Sequence, residues 1–220
     1  FEGRPHLDKV LFKIFHGSPR EEIFHRFKSG ELEDSPIPFK DVEEIIKSKL
    51  YRFIQKPILS LRFYGLNAQI GPLKIEGVRK AINFAVPKEE ISKDILKGMA
   101  HLTNRIIPLG MPGYSPGKGG MGYQSQKAKE LLLESGYPEG KVIPPIEFWS
   151  AAKSELAVKE LEMVKHYFSQ IGITLHIQYE THWPKFQELL LSGKAPMFMY
   201  AWYADFPDPD NFLWTLFYSK

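Results

Sequence analysis

The chain has 220 residues, 43% of them hydrophobic and 25% charged, with 29 Lys/Arg against 26 Asp/Glu for a net charge of +3. That composition excludes a disordered chain and allows one large domain or two small lobes. Without cysteine there is no thiol catalysis, disulfide or thiolate metal site. Acids and bases alternate, as in Lys88-Glu89-Glu90-Ile91-Ser92-Lys93-Asp94, so no basic stripe suits nucleic acid. No stretch approaches the roughly 18 apolar residues of a spanning helix.

The chain opens Phe1-Glu2-Gly3-Arg4-Pro5, without an initiator Met or a signal sequence, and is expected to be cut from a longer protein. Leu7 to Phe15 alternates in the manner of a strand. Arg20 to Lys28 predicts a polar helix stopping at Gly30, and residues 32–39, with Pro36 and Pro38, a loop. Asp41 can cap a helix running to about Tyr51, and Ile58 to Leu66 predicts a strand. Val78, Ala81, Ile82 and Ala85 form one apolar helical stripe; Ile91, Ile95 and Leu96 form another, with Pro87 between them. Proline and glycine punctuate 106–122, which predicts a long loop or lid. Lys127 to Ser135 predicts a helix closed by Gly136, with Pro138 beyond it.

The last third is the most regular. Strands are expected at 145–149, 173–179 and 197–203, and helices at 154–170 and 183–191. This β-α-β-α-β order predicts a right-handed parallel sheet. The carboxyl ends of its strands would carry Trp149-Ser150, Glu180-Thr181-His182-Trp183, and Trp202-Tyr203-Ala204-Asp205. Open α/β sheets bind ligands at that edge. Trp183 could equally open a helix and pack in the core.

Asp205, Asp208 and Asp210 could bind a metal, a cationic ligand, or nothing. A calcium loop wants alternate carboxylates and a glycine, whereas Pro207 and Pro209 intervene and no glycine follows. Turn capping is the default for Asp208 and Asp210. Asp205, first beyond the strand, would suit an ammonium group. Gly117 to Gly122 formally matches G-x-G-x-x-G, but a Pro-rich loop precedes it instead of a strand, so it predicts a flexible loop. His6, His16, His25, His101, His166, His176 and His182 are scattered without metal-binding spacing. Ser150 and Ser154 lack nucleophile-elbow glycines. Nothing calls for a metal or cofactor, and an enzyme is the weakest reading.

Several ordered blocks together resemble the extracytoplasmic solute-binding proteins of family 5, the oligopeptide and dipeptide receptors of ABC importers. Gly3-Arg4-Pro5-His6-Leu7-Asp8 resembles that family's GRPYLD block. Phe27-Lys28-Ser29-Gly30-Glu31-Leu32 and Leu66-Asn67 followed by Val78-Arg79-Lys80-Ala81-Ile82-Asn83 also match. So do Ile107-Pro108-Leu109-Gly110-Met111-Pro112, Lys127-Ala128-Lys129-Glu130-Leu131-Leu132 and Trp202-Tyr203-Ala204-Asp205-Phe206-Pro207-Asp208-Pro209. The resemblance spans essentially the whole chain.

It implies an α/β, periplasmic-binding-protein-like fold of type II, mostly the second lobe, with a βαβαβ core sheet. Residues 1–65 would be part of the first lobe and the crossover strand, and 66–220 the second ligand-binding lobe, without its carboxyl-terminal end. It implies a hinge-closing receptor that binds extended peptides between its lobes, does no chemistry and docks on the permease subunits of an ABC transporter. Such a protein works in the periplasm or outside the cell, in some cases lipid-anchored through an amino-terminal segment this chain lacks. By carry-over, Ala201, Trp202 and Tyr203 would pair with the ligand backbone. Asp205 would take its α-ammonium, Trp183 would line a side-chain pocket, and Phe63 and Tyr64 would line the cleft. Met199 stands where some oligopeptide receptors carry an Arg, and Pro87 where an Asp commonly caps the following helix. Relatives also take nickel chelates, haem, sugars and opines, and some transcription regulators use the module as a sensing domain.

Overall fold

The computed structural model describes residue 3 and residues 6–15, 19–116, 122–137 and 142–218. Arg4, Pro5, His16, residues 117–121 of the glycine-rich motif, and Pro138 lie outside them. The chain divides into two compact units, Phe1–Gln55 and Lys56–Lys220.

In the first unit, helix α1 spans Arg20–Lys28, as its sequence predicts, and buries Phe24. Phe27 joins Phe24 to Tyr51 through ring contacts at 6.2 and 5.3 Å. Helix α2, Val42–Lys47, buries Val42 and Ile45 and stops well short of Tyr51. The reason is packing: Ile46 and Leu50 are exposed, so no apolar face remains to sustain further turns. Asp41 holds the N-cap position without a side-chain capping bond. The strand expected at 7–15 is absent. Val10, Leu11, Phe12 and Ile14 are exposed there, and no strand among the described residues pairs with them. Alternation supplies strand propensity, but a strand exists only with a partner.

The second unit is built on a four-stranded sheet in the order β1-β4-β2-β3. Its strands are β1 (Ser60–Leu66), β2 (Ile146–Ser150), β3 (Leu175–Tyr179) and β4 (Met197–Tyr203). β2 is parallel to both β3 and β4, whereas β1 closes the sheet antiparallel to β4, making the sheet mixed. Between the parallel strands run α6 (Glu155–Ser169) and α7 (Trp183–Leu191). The chain leaves β2 for its neighbour β3, then returns across the sheet to β4 on the other side of β2. Two right-handed crossovers of opposite direction place their helices on opposite faces. The packing agrees. Ala157, Leu161, Val164 and Phe168 of α6 join Ile146, Phe148, Met197 and Met199 in one core. On the other face, Trp183 at the start of α7 stacks on Tyr200 of β4.

Two further helices, α3 (Glu76–Ala85) and α5 (Ser125–Glu134), complete the α6 layer by burying Val78, Ala81, Ile82, Ala85, Ala128 and Leu132. Between them, Pro87 introduces a short helical segment, α4 (Lys88–Glu90), which continues as a π turn, Ile91–Ile95. The turn buries Ile91 and Ile95, the second apolar stripe of the sequence. Gly172 ends the α6 region at φ +82°, a conformation glycine adopts without steric cost. The hydroxyl of Ser154 accepts from the Ala157 N–H at 3.3 Å and caps α6. Ser154→Ala is expected to cost about 1 kcal/mol in unfolding free energy, read from denaturant titration.

Residues 210–217, where the sequence reading expected only turn capping by Asp210, form helix α8 (Asp210–Phe217), which buries Asn211 and Phe212. Pro209 at its N-cap and Asp210 in its first turn are helix-start signals, but only two buried side chains support it.

Candidate functional site

β4 is longer than the strand beside it. Its pairing with β2 covers only Phe148↔Met197, Trp149↔Phe198 and Ser150↔Met199, while on its other side β1 pairs with all of 197–203. β2 then turns away: the Ser150 hydroxyl donates to the Ala152 carbonyl at 2.9 Å and accepts from the Ala152 N–H. Tyr200 to Tyr203 therefore run on past β2 with one backbone edge unpaired among the described residues. This is the carboxyl edge of the parallel strands, beside β2, where the chain switches from one side of the sheet to the other. Crevices form at such switch points because the connections diverge to opposite faces.

Alternation sorts the residues of β4. Met197 and Met199 enter the α6 core, whereas Phe198, Tyr200 and Trp202 face the other side. Four rings form an aromatic shelf there. Tyr200 lies 5.9 Å from Phe63 of β1, 5.8 Å from Trp183 and 6.4 Å from Phe198, in tilted, stacked and edge-on geometry respectively. Trp183 also contacts the fully buried Phe186 at 5.9 Å, yet its own side chain remains 46% exposed. Burial raises the pKa of the Tyr200 hydroxyl. The shelf depends on Gly65, because a Cβ there would collide with the Phe198 ring. Gly65→Ala is expected to displace that ring and destabilise the fold by about 1–2 kcal/mol, with altered tryptophan fluorescence from Trp183 as the local readout.

The residues singled out from the sequence fall into three groups. Phe63 and Trp183 meet through Tyr200 on the shelf. Ala201, Trp202 and Tyr203 occupy the overhanging end of β4, paired with Arg62, Leu61 and Ser60 of β1. Trp202 turns its Nε1–H to the Asn211 side chain of α8 at 2.8 Å, and Tyr203 is 63% exposed. Asp205 follows immediately: the Ala204 N–H still bonds to the Leu59 carbonyl, and Asp205 is exposed in the bend beyond. Asp208 accepts from the Asp210 N–H at 2.8 Å and so stabilises the turn into α8.

Tyr64 is the exception. One position along β1 from Phe63, it points to the opposite face, where its ring meets Phe148 at 5.1 Å. Its hydroxyl donates to Glu160 of α6 at 2.6 Å. Burial, then the Glu160 charge, raises the Tyr64 pKa well above that of a free phenol. Phe198, Tyr200, Arg62 and Glu160 were not singled out by sequence reasoning. The period-two pattern of Met197 to Tyr203 could have revealed the first two. Nothing local links Arg62 to Glu160, 98 positions away.

Comparison with known proteins agrees with this architecture. The family model for bacterial extracellular solute-binding proteins, family 5 Middle, matches residues 1–220. The dipeptide-binding protein of Escherichia coli strain K12 is 28% identical over 221 residues, covering 97% of this chain and 40% of that protein. Heme-binding protein A of Haemophilus influenzae is 25% identical over 228 residues, covering all of this chain and 40% of its own length. This chain thus spans about 40% of the curated relatives it matches. Among solved structures, the periplasmic binding protein DppA from Helicobacter pylori in complex with the peptide STSA superposes with a TM-score of 0.75. It is 26% identical, and the match covers 90% of this chain and 38% of that one.

Proposed function

Because the chain belongs to the bacterial extracellular solute-binding proteins of family 5, we propose that it is the ligand-bearing part of the substrate-binding subunit of an ABC importer. It takes extended peptides and carries out no reaction. The observation that supports this most strongly is the overhang of β4, whose unpaired edge at Tyr200 to Tyr203 leads straight into Asp205. An extended peptide laid along that edge gains backbone hydrogen bonds whatever its side chains, which gives affinity without sequence preference. Asp205 then receives the α-ammonium, fixing the register by a charge-assisted contact. Trp183, with Tyr200 and Phe63, offers a broad aromatic surface to the ligand's side chains.

Residues 1 to about 65 supply part of the first lobe and the crossover strand, and 66–220 the second lobe, with closure about the hinge trapping the ligand. The whole receptor works outside the cytoplasmic membrane and delivers its cargo to the permease subunits. Lipid anchoring through an amino-terminal segment fits that station.

The test is to purify the full-length protein without refolding, denature it, and identify the released small molecules by mass spectrometry. Short peptides of mixed sequence support the reading. A haem, a metal chelate, a sugar or an opine keeps the receptor and overturns the ligand class. Hydrolysis of added peptides by the purified protein would overturn the absence of catalysis.

A further inference from the structure

The turn that carries Asp205 is closed on itself by a side-chain bond. Trp202, on the overhanging end of β4, donates its indole N–H to Oδ1 of Asn211 at 2.8 Å, nine positions further along the chain. An indole N–H only donates, so the amide must present its oxygen. Asn211 is 5% exposed in the first turn of α8, beside the fully buried Phe212. Burial thus anchors one end of the closure, and β4 the other. Between them the Ala204 N–H bonds to the Leu59 carbonyl, the Asp208 N–H to the Phe206 carbonyl and the Asn211 N–H to the Asp208 carbonyl, at 2.8, 2.9 and 3.1 Å. From outside, the backbone at Gly113 comes up against the turn: a Cβ there would lie 3.7 Å from Pro209 Cγ. Asp205 stands exposed in the bend, and among the described residues no hydrogen bond or ion pair holds its carboxylate. The backbone beneath it alone sets its position.

We propose that Asn211 is a positioning residue for ligand binding: by holding the Trp202 indole it fixes the bend, so that the Asp205 carboxylate stands ready at the end of the β4 edge. Asn211 acts through Asp205 and does not itself touch the ligand. This rests on the peptide reading above and deepens it with a residue that serves only the amine end. If the closure is lost, the turn has to be ordered when the ligand binds, and that ordering is subtracted from affinity. The edge that would pair with the ligand backbone is secured independently, since β1 pairs with β4 as far as Ser60↔Tyr203. Loss of Asn211 should therefore weaken recognition of the α-ammonium and spare recognition of the backbone. The worth of one neutral hydrogen bond sets the scale, about fivefold in the preference for a free amine.

The experiment uses the full-length protein and pairs of short peptides with a free or an acetylated amine, titrated calorimetrically. The readout is the ratio of the two Kd values, which general loosening of the fold would not move because it weakens both peptides alike. Asn211→Ala is expected to lower that ratio about fivefold while the acetylated peptide binds as it does to the wild type. Trp202→Phe, which keeps a ring but removes the donor, should lower it similarly, and the double variant should lower it no further than either single one. In an Asp205→Ala background, Asn211→Ala should leave the ratio unchanged. If Asn211→Ala fails to fold, the Trp202→Phe titrations decide. A wild type that prefers free amines, with variants that keep the full ratio or lose both peptides equally, overturns the Asn211 assignment alone. A wild type indifferent to acetylation, or one that binds no peptide, overturns the reading of Asp205 and Asn211 with it.

Discussion

Asp205→Ala in the full-length protein is expected to weaken the binding of free-amine peptides by about 2–3 kcal/mol, roughly 30- to 150-fold in Kd. Asp205 is the first carboxylate beyond the overhanging edge of β4, and it is exposed in a bend, so its removal leaves no buried cavity. The fold should be unaffected, and the loss should appear in ligand release. Amine-acetylated peptides give the control: they should bind the wild type as weakly as free peptides bind the variant. Calorimetric titration of both peptides against both proteins closes the cycle. Equal binding of free and acetylated peptides to the wild type would remove Asp205 from the site.

Arg62→Met is expected to destabilise the fold by about 2–4 kcal/mol at neutral pH. Losing one member of a buried ion pair typically costs about 3–5 kcal/mol, and the partial exposure of Arg62 reduces that figure. The penalty comes from Glu160, left nearly fully buried on α6 with only the Tyr64 hydroxyl to satisfy it. Arg62→Met/Glu160→Gln, which removes the stranded charge, should recover much of that loss. Denaturant titration of the wild type and both variants checks this. A double variant as unstable as Arg62→Met would mean lost packing, not the stranded carboxylate, is responsible.

These two residues mark how far the sequence could be read. Asp205 was legible because its surroundings are local: an aromatic strand, a turn with two prolines, and a carboxylate first beyond the strand end. The elements from 146 to 203 were legible for the same reason. α7 and β4 begin and end where their apolar periodicity does, since that periodicity matches the faces they bury. Arg62 was not legible, because its meaning depends on Glu160, a charged residue in the middle of a helix whose other charged residues, Glu155, Lys159, Glu162 and Lys165, are exposed. The strand expected at 7–15 shows the converse failure. Its alternation is genuine, yet the side chains lie exposed without a pairing strand among the described residues, and alternation alone cannot supply one.

What the sequence determined by itself is the order of elements, the parallel β-α-β-α-β unit and the family, since each is written in short-range periodicity and ordered blocks. What only the tertiary structure decided is which strand overhangs, which face each ring occupies, and which cation meets the buried carboxylate of Glu160. Those depend on register and on strand order, β1-β4-β2-β3. A register shift of one residue turns every side chain to the other face while leaving the local sequence pattern unchanged.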